Sequence, residues 1–269
     1  MSKITGTISE IHSLEEQAQQ STPLTTLHPL AKLLMTMAYI VTLMSLGKYN
    51  LPGTLFMASY PLLGFHLGHL AWREGLWRLR LILPLVACVG IANPFFDKHI
   101  IYWGDFIIRA GYLSFFSLLL KGVLAVLASY LLIATTTIEQ ICYALRLLQL
   151  PKLLVTQLLL SYRYLTLLLE QADTIAQAYA LRAPKQKGVH FKVWGSLAGQ
   201  LLLRSIDRAN NLYDSMLLRG YQGEYYYGGP LPSWGRRDWL YLLGLVSTLL
   251  AVALLPGERL LGQLMSFLG

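Results

Sequence analysis

Charge is what this sequence has least of. Of its 269 residues only 13% are charged, and Asp and Glu together number 14. Soluble domains carry about 25% charged residues. A soluble chain of this length buries a good core but still needs a charged surface, and here half of that surface is missing. Cysteine is scarce too. Cys88 and Cys142 are the only two, and neither sits in a CxxC or other zinc-ligand pattern. A disulfide framework is thereby excluded, and both read as small buried hydrophobes. No GxxxxGK followed by Ser or Thr occurs, so the chain has no phosphate loop of its own. Asp97, Asp105, Asp173, Asp207, Asp214 and Asp238 are too dispersed to form the DxxD pair of a metal-dependent lipid transferase. The N-terminus, MSKITGTISEIHSLEEQAQQ, is polar and holds no hydrophobic signal region.

What the chain has instead is apolar runs. It is 55% hydrophobic with mean hydropathy +0.48, and the apolar residues cluster, which points to lipid as the solvent. Runs at 30–46, 51–70, 81–96, 106–134 and 238–255 give five expected spans. Between the second and third lies AWREGLWRLR, where Trp72 and Trp77 beside Arg73, Arg78 and Arg80 mark a membrane–water boundary. The segment 97–105, DKHIIYWGD, reads as a polar, aromatic turn. With the N-terminus inside, Lys3, Lys32, Arg73, Arg78, Arg80 and every basic residue from Arg146 to Arg237 are cytoplasmic. Lys48, Lys98, Arg109 and Arg259 are external, and Lys121 lies within a span. This asymmetry is strongly positive-inside. The net charge of +8 then belongs to loops facing anionic lipid. No nucleic-acid module accompanies it, so nucleic acid is not an expected partner.

The fold expected is an all-α integral membrane protein of five to six transmembrane helices with a cytoplasmic coupling domain of long amphipathic helices. Residues 1–134 would hold the N-terminal cytoplasmic segment and four spans, 135–237 the cytoplasmic domain, and 238–269 the last span. Within 135–237, Thr135-Thr136-Thr137 before Ile138-Glu139-Gln140 is a helix start with hydroxyl caps and an early acid. That helix should end near Leu150, and Pro151 suits the first turn of the next one. The next runs from Lys152 to Arg182; its first half, 152–170, either crosses the bilayer or stays outside it. Ala183-Pro184 stops it. A basic linker with Lys185, Lys187 and Lys192 leads to a helix from about Val193 to Arg219, ending at Gly220. On this helix Arg204, Asp207, Arg208, Asn211 and Asp214 share one face, and Leu202, Ile206, Ala209, Tyr213 and Met216 the other.

The two long helices end alike, as Leu181-Arg182-Ala183 and Leu218-Arg219-Gly220. Arg182 shares a face with Ile175, Ala178 and Tyr179, and Arg219 with Leu212 and Met216, so each projects from an apolar stripe. A guanidinium there suits a pocket with an acidic floor, being permanently charged and able to pair with a carboxylate through two hydrogen bonds. Basic residues also favour last helical turns because they complement the helix dipole, and spacing alone leaves both readings open.

At these residues the chain resembles the transmembrane (T) component of energy-coupling factor transporters, in the cobalt-transport CbiQ-type branch, whose hallmark is a pair of Ala-Arg-Gly-like motifs closing two cytoplasmic coupling helices. The Leu27-His28-Pro29-Leu30-Ala31-Lys32-Leu33-Leu34 segment is similar to a family Asp-Pro-Arg-x-Lys-Leu segment, with His28 and Leu30 where Asp and Arg are usual. Ala144-Leu145-Arg146 through Leu150-Pro151, then Tyr162-Arg163-Tyr164 and Glu170, extend the likeness. Leu replaces the first Ala of both motifs, and the first ends in Ala183 rather than Gly.

The resemblance implies a non-catalytic subunit that binds no cofactor. ATP and Mg would be handled by two cytoplasmic ATP-binding cassette (ABC) subunits, which Leu181, Arg182, Ala183, Leu218, Arg219 and Gly220 would contact. A substrate-binding (S) membrane subunit, with or without a small accessory membrane protein, would take the cargo. That cargo is cobalt by the resemblance, with nickel or a vitamin left open. The implied location is the bacterial or archaeal plasma membrane, multi-pass, N-terminus cytoplasmic. A self-contained secondary transporter is the competing class; it would favour internal repeats and intramembrane acids, and the spans hold almost none. His66 and His69, three apart on one expected helical face, read as an interfacial pair, since two imidazoles with no carboxylate or thiol nearby make a weak metal site. Lys121, mid-span, either faces protein or water or snorkels. Tyr225-Tyr226-Tyr227-Gly228-Gly229-Pro230 reads as an interfacial loop.

Overall fold

Long apolar runs that begin at proline, asparagine or threonine are built to form capped helices, and they do so in the computed structural model. It describes residues 3–20, 22–48, 50–91, 93–96, 100–103, 106–183, 190–223 and 234–254. In chain order the helices are α1 (Lys3–Gln19), α2 (Pro29–Ser45), α3 (Leu51–Met57), α4 (Ser59–Leu67), α5 (Trp72–Gly90), α6 (Asn93–Phe96), α7 (Ala110–Thr135), α8 (Ile138–Leu147), α9 (Lys152–Arg182), α10 (Phe191–Leu218) and α11 (Arg236–Leu254). Between α6 and α7 lies an antiparallel pair, β1 (Ile100–Trp103) and β2 (Phe106–Arg109), with Ile101 opposite Ile108 and Trp103 opposite Phe106. The fold class is all-α as expected; this short ribbon is a local addition that moves the start of the fourth run from 106 to Ala110. β-Branched and aromatic residues (IIYW, FIIR) fit a pleated ladder better than a turn or a helix.

The chain divides into two compact units, Ala18–Thr136 with Leu231–Gly269, and Met1–Gln17 with Thr137–Pro230. In the first, α7 is central and packs against α2, α3, α4, α5 and α6. Tyr39 and Leu43 of α2, Met57 of α3, and Leu124 and Ala128 of α7 form one buried cluster. α5 reaches α7 closely at two glycines. A Cβ on Gly90 would collide with the Phe115 ring, and one on Gly122 would press on Val86, the small-residue contact that lets membrane helices approach.

The run 51–70, expected as one span, is broken into α3 and α4 at Ala58. Pro61 is the cause: lacking an N–H, it leaves the Met57 carbonyl without its helical donor. The Tyr39 hydroxyl donates to that carbonyl at 2.9 Å. Among the described residues two helices, Gly111–Thr135 and Lys152–Arg182, are long and apolar enough to cross a bilayer, and α2 is apolar but shorter.

In the second unit, Thr137 caps α8 as its position suggests, its hydroxyl accepting the Gln140 N–H at 3.3 Å. α8 ends at Leu147, three residues before the expected stop, because Gln149 turns left-handed (φ 63°) ahead of Pro151. α9 runs unbroken from Lys152 and packs against α8 and α10. The polar N-terminus, given no structure by the sequence, is helix α1, and Glu15 accepts a hydrogen bond from Tyr162 of α9. Cys142 is buried on α8, where burial, reinforced by Glu139, pushes its thiol pKa up. Cys88 is exposed, contrary to expectation, because it shares the outer face of α5 with exposed Leu85 and Val89.

Candidate partner-docking site

The two arginine motifs close α9 and α10, but by different backbone devices. At α10, Arg219 is the cap, with Gly220 left-handed at φ 81°. The Tyr221 N–H donates to Met216 O at 2.9 Å and the Gly220 N–H to Leu217 O at 2.9 Å. This is the two-bond closure that a glycine after the cap permits, and Tyr221 and Met216 both line a cavity beside it. At α9 the Ala183 N–H simply completes the helical pattern to Tyr179 O at 3.0 Å, and its φ of −127° suits any residue. Alanine at 183 and glycine at 220 are therefore each what the local backbone needs.

Both motifs present their side chains outward. Leu181 is 83% exposed and Leu218 90%, and Arg182 and Arg219 are exposed beside them. Neither guanidinium has a hydrogen-bond or ion-pair partner among the described residues. Ile175, on the Arg182 face, is buried; Leu212 and Met216, on the Arg219 face, are half-buried.

The motifs also stand apart. A cavity of about 470 Å³ is lined by Leu153, Gln157, Tyr164 and Leu168 of α9, by Arg208 and Leu212 of α10, and by Tyr221 just past it. The end of α10, and Arg219 with it, therefore lies beside the first half of α9. Arg182 closes the other half, and from Leu168 to Arg182 the helix climbs roughly 20 Å. One partner pocket cannot take both arginines; two can.

Other expected residues fall differently. His66 and His69 are both exposed but do not share a helical face: α4 ends at Leu67, and His69 is left-handed at φ 49°. Gly68 closes the helix before the second histidine can join it. Lys121 faces protein, its Nζ donating to Leu46 O at 2.5 Å. Arg109 stands on β2 opposite Ile100. Lys185, Lys187 and the stretch Tyr225 to Pro230 lie outside the described residues. Among the described residues no three of His, Cys, Asp and Glu gather to hold a metal ion.

Sequence reasoning misses a buried polar node. Asp238 is N3 of α11, and its Oδ2 accepts the Gly235 N–H at 2.7 Å while Oδ1 accepts the His28 N–H at 2.8 Å. One carboxylate thus ties the starts of α2 and α11, the first half being a capping-box contact. The His28 ring caps α2, Nδ1 accepting the Leu30 N–H at 3.2 Å, and packs 5.0 Å from Trp234. Burial holds the His28 pKa below its ordinary value, against the pull of Asp238. The signal for part of this was legible: an acid three residues after Gly235 at the head of an apolar run.

Comparison with known families places residues 20–227 in one family model, described as CbiQ, cobalt transport protein. The match spans α2 through α10 and both arginine motifs. No curated protein matches the chain.

Proposed function

The chain belongs to the CbiQ cobalt transport protein family, and from that premise we propose that it is the membrane coupling subunit of an energy-coupling-factor importer for cobalt ion. In this reading two cytoplasmic ABC ATPases bind and hydrolyse ATP, a separate membrane subunit captures the cargo, and this chain transmits the movement of the first to the second. The observation that carries the reading is the pair of outward Leu-Arg ends on α9 and α10, too far apart for one pocket. Leu181, Arg182 and Ala183 would dock on one ATPase, and Leu218, Arg219 and Gly220 on the other. Long helices that lean on two approaching domains convert approach into tilt by rigid-body motion. The protein sits in the plasma membrane with its N-terminus inside; with five spans the ends of α9 and α10 stay on the ATPase side, whereas a sixth span through α9 would carry them across the bilayer.

Affinity purification in mild detergent, with every co-purifying chain identified, tests this directly. Two copies of a cassette ATPase, or two related ones, should accompany the protein with a further membrane subunit. The purified chain alone should neither bind nor hydrolyse ATP, and robust hydrolysis by a homogeneous preparation would overturn the coupling role. Nickel or a vitamin as cargo keeps the same partners and is told apart by which ligand the accessory subunit retains.

A further inference from the structure

Two lysines sit where lysine is hardest to accommodate. Lys32, in the first turn of α2, is 5% exposed, and Lys121, mid-way along α7, is 8% exposed. An amine inside packed helices in lipid must find acceptors within the protein. Each finds them at the carbonyl end of the other's helix. Lys32 Nζ donates to Thr135 O, in the last residue of α7, at 2.7 Å. Lys121 Nζ donates to Leu46 O, in the cap of α2, at 2.5 Å, with Gly47 O at 3.5 Å. The Thr135 and Leu46 carbonyls are among those a helix leaves unbonded at its end, where its dipole is negative.

The exchange is reciprocal because α2 and α7 pack antiparallel: the head of α2 meets the tail of α7. The clasps are separated by nearly the whole of α2, roughly 20 Å. Between them lies an apolar cluster that includes Tyr39 and Leu43 of α2 and Leu124 and Ala128 of α7. Apolar contacts hold two helices together but tolerate sliding, whereas directional hydrogen bonds at two separated points fix register and tilt. The Thr135 end is fastened further, since Asp238 holds the His28 N–H and its charge acts on Lys32.

We propose that Lys32 and Lys121 are positioning residues for transport, clasping α2 and α7 into one stiff lever. The proposal rests on the coupling role above. α7 ends at Thr135 and α8 begins at Ile138, so movement from the coupling helices enters α7 beside the Lys32 clasp. With both clasps made, it passes to α2 instead of being lost as slippage.

The test has two arms. In the first, the full complex is reconstituted in proteoliposomes, and uptake of radioactive cobalt(II) is measured together with ATP hydrolysis. Lys32→Met and Lys121→Met keep the apolar stem and remove the donor. The partners should still co-purify and ATP should still be hydrolysed, while cobalt taken up per ATP falls about tenfold. Lys32→Arg and Lys121→Arg should restore most of it. In the second arm, the purified chain in nanodiscs, with Cys88 and Cys142 changed to alanine, carries spin labels at the exposed positions Met44 and Phe116. The α2–α7 distance distribution should be narrow and should broaden in each methionine variant. A distribution as narrow in both variants as in the parent overturns the lever, whatever transport does. So does cobalt uptake per ATP equal to the parent in both. Failure of the unsubstituted chain to assemble with any ATPase sinks the coupling role and the lever together, and the distance arm then shows whether the clasp itself exists.

Discussion

Around α7, the residues that sequence periodicity marks as apolar are covered: Tyr39, Leu43, Phe65, Leu124 and Ala128 are all buried, and the Tyr39 hydroxyl among them is hydrogen-bonded to the Met57 carbonyl of a neighbouring helix. Around α9, the same kind of periodicity gives a different outcome. α10 has no buried residue, and Leu202, Ile206 and Tyr213 of its apolar face are exposed while Leu212 and Met216 are half-buried against α9. A 3.6-residue pattern therefore shows that a helix has a face to cover, not what covers it. One unit supplies its own cover, from five or more helices on α7. The other leaves an apolar stripe and two Leu-Arg ends open, the condition of a surface completed by partners.

Substitutions can break this contrast, and the largest effect belongs to the buried node. Asp238→Ala leaves the His28 and Gly235 backbone N–H groups without their acceptor and removes the charge that acts on Lys32, and should cost about 3 kcal/mol of stability, read as thermal unfolding in mild detergent. A near-neutral result would mean that the node is not held as described. Next comes a matched pair, one from each unit. Leu124→Ala, in the covered core, should cost about 3 kcal/mol, whereas Ile206→Ala on α10 should stay within about 0.5 kcal/mol in the isolated chain. Equal losses would show that α10 is covered after all. Gly220→Ala forces a side chain into the left-handed region and should cost about 1 kcal/mol, while Ala183→Gly should cost less. If alanine is tolerated equally at both ends, the distinction between the two closures fails.

The smallest effect is one of pH. The His28 pKa in the folded chain lies below its ordinary 6.5, and its cap needs the unprotonated Nδ1. Its contribution is thus complete above about 6.5 and fades as the pH falls through the folded value. His28→Asn, which keeps an acceptor but does not titrate, should flatten that part of the stability profile.

The unit that holds α8, α9 and α10 was largely legible in the sequence, because its determinants are local. Pro151, the Ala183-Pro184 pair and Gly220 fix where α9 and α10 start and stop within two residues, and Thr137 caps α8 by its own hydroxyl. The unit around α7 was much less so. Tyr39 repairing the break at Pro61, Lys32 reaching Thr135, and Asp238 reaching His28 join residues far apart in the chain, and no local period encodes them. His66 and His69 differ from expectation for the opposite reason: Gly68, between them, closes α4, so no single helical face carries both.

In the proposed function, Arg182 and Arg219 would each enter an acidic groove on a separate ATPase. Truncating one partner of a buried charged pair costs on the order of 2–5 kcal/mol, and reversing its charge places like charges together where screening is weak. The decisive measurement is ATPase co-purification and cobalt uptake for Arg182→Glu, Arg219→Glu and the double variant, with membrane insertion checked in parallel. Lys192→Glu, at an exposed position near the start of α10, controls for net charge. Each single reversal should insert normally yet lose ATPase and uptake, the double should fail to assemble, and the control should behave as the parent. A double reversal that still co-purifies with both ATPases and transports normally would reduce the two arginines to partners of their own helix dipoles.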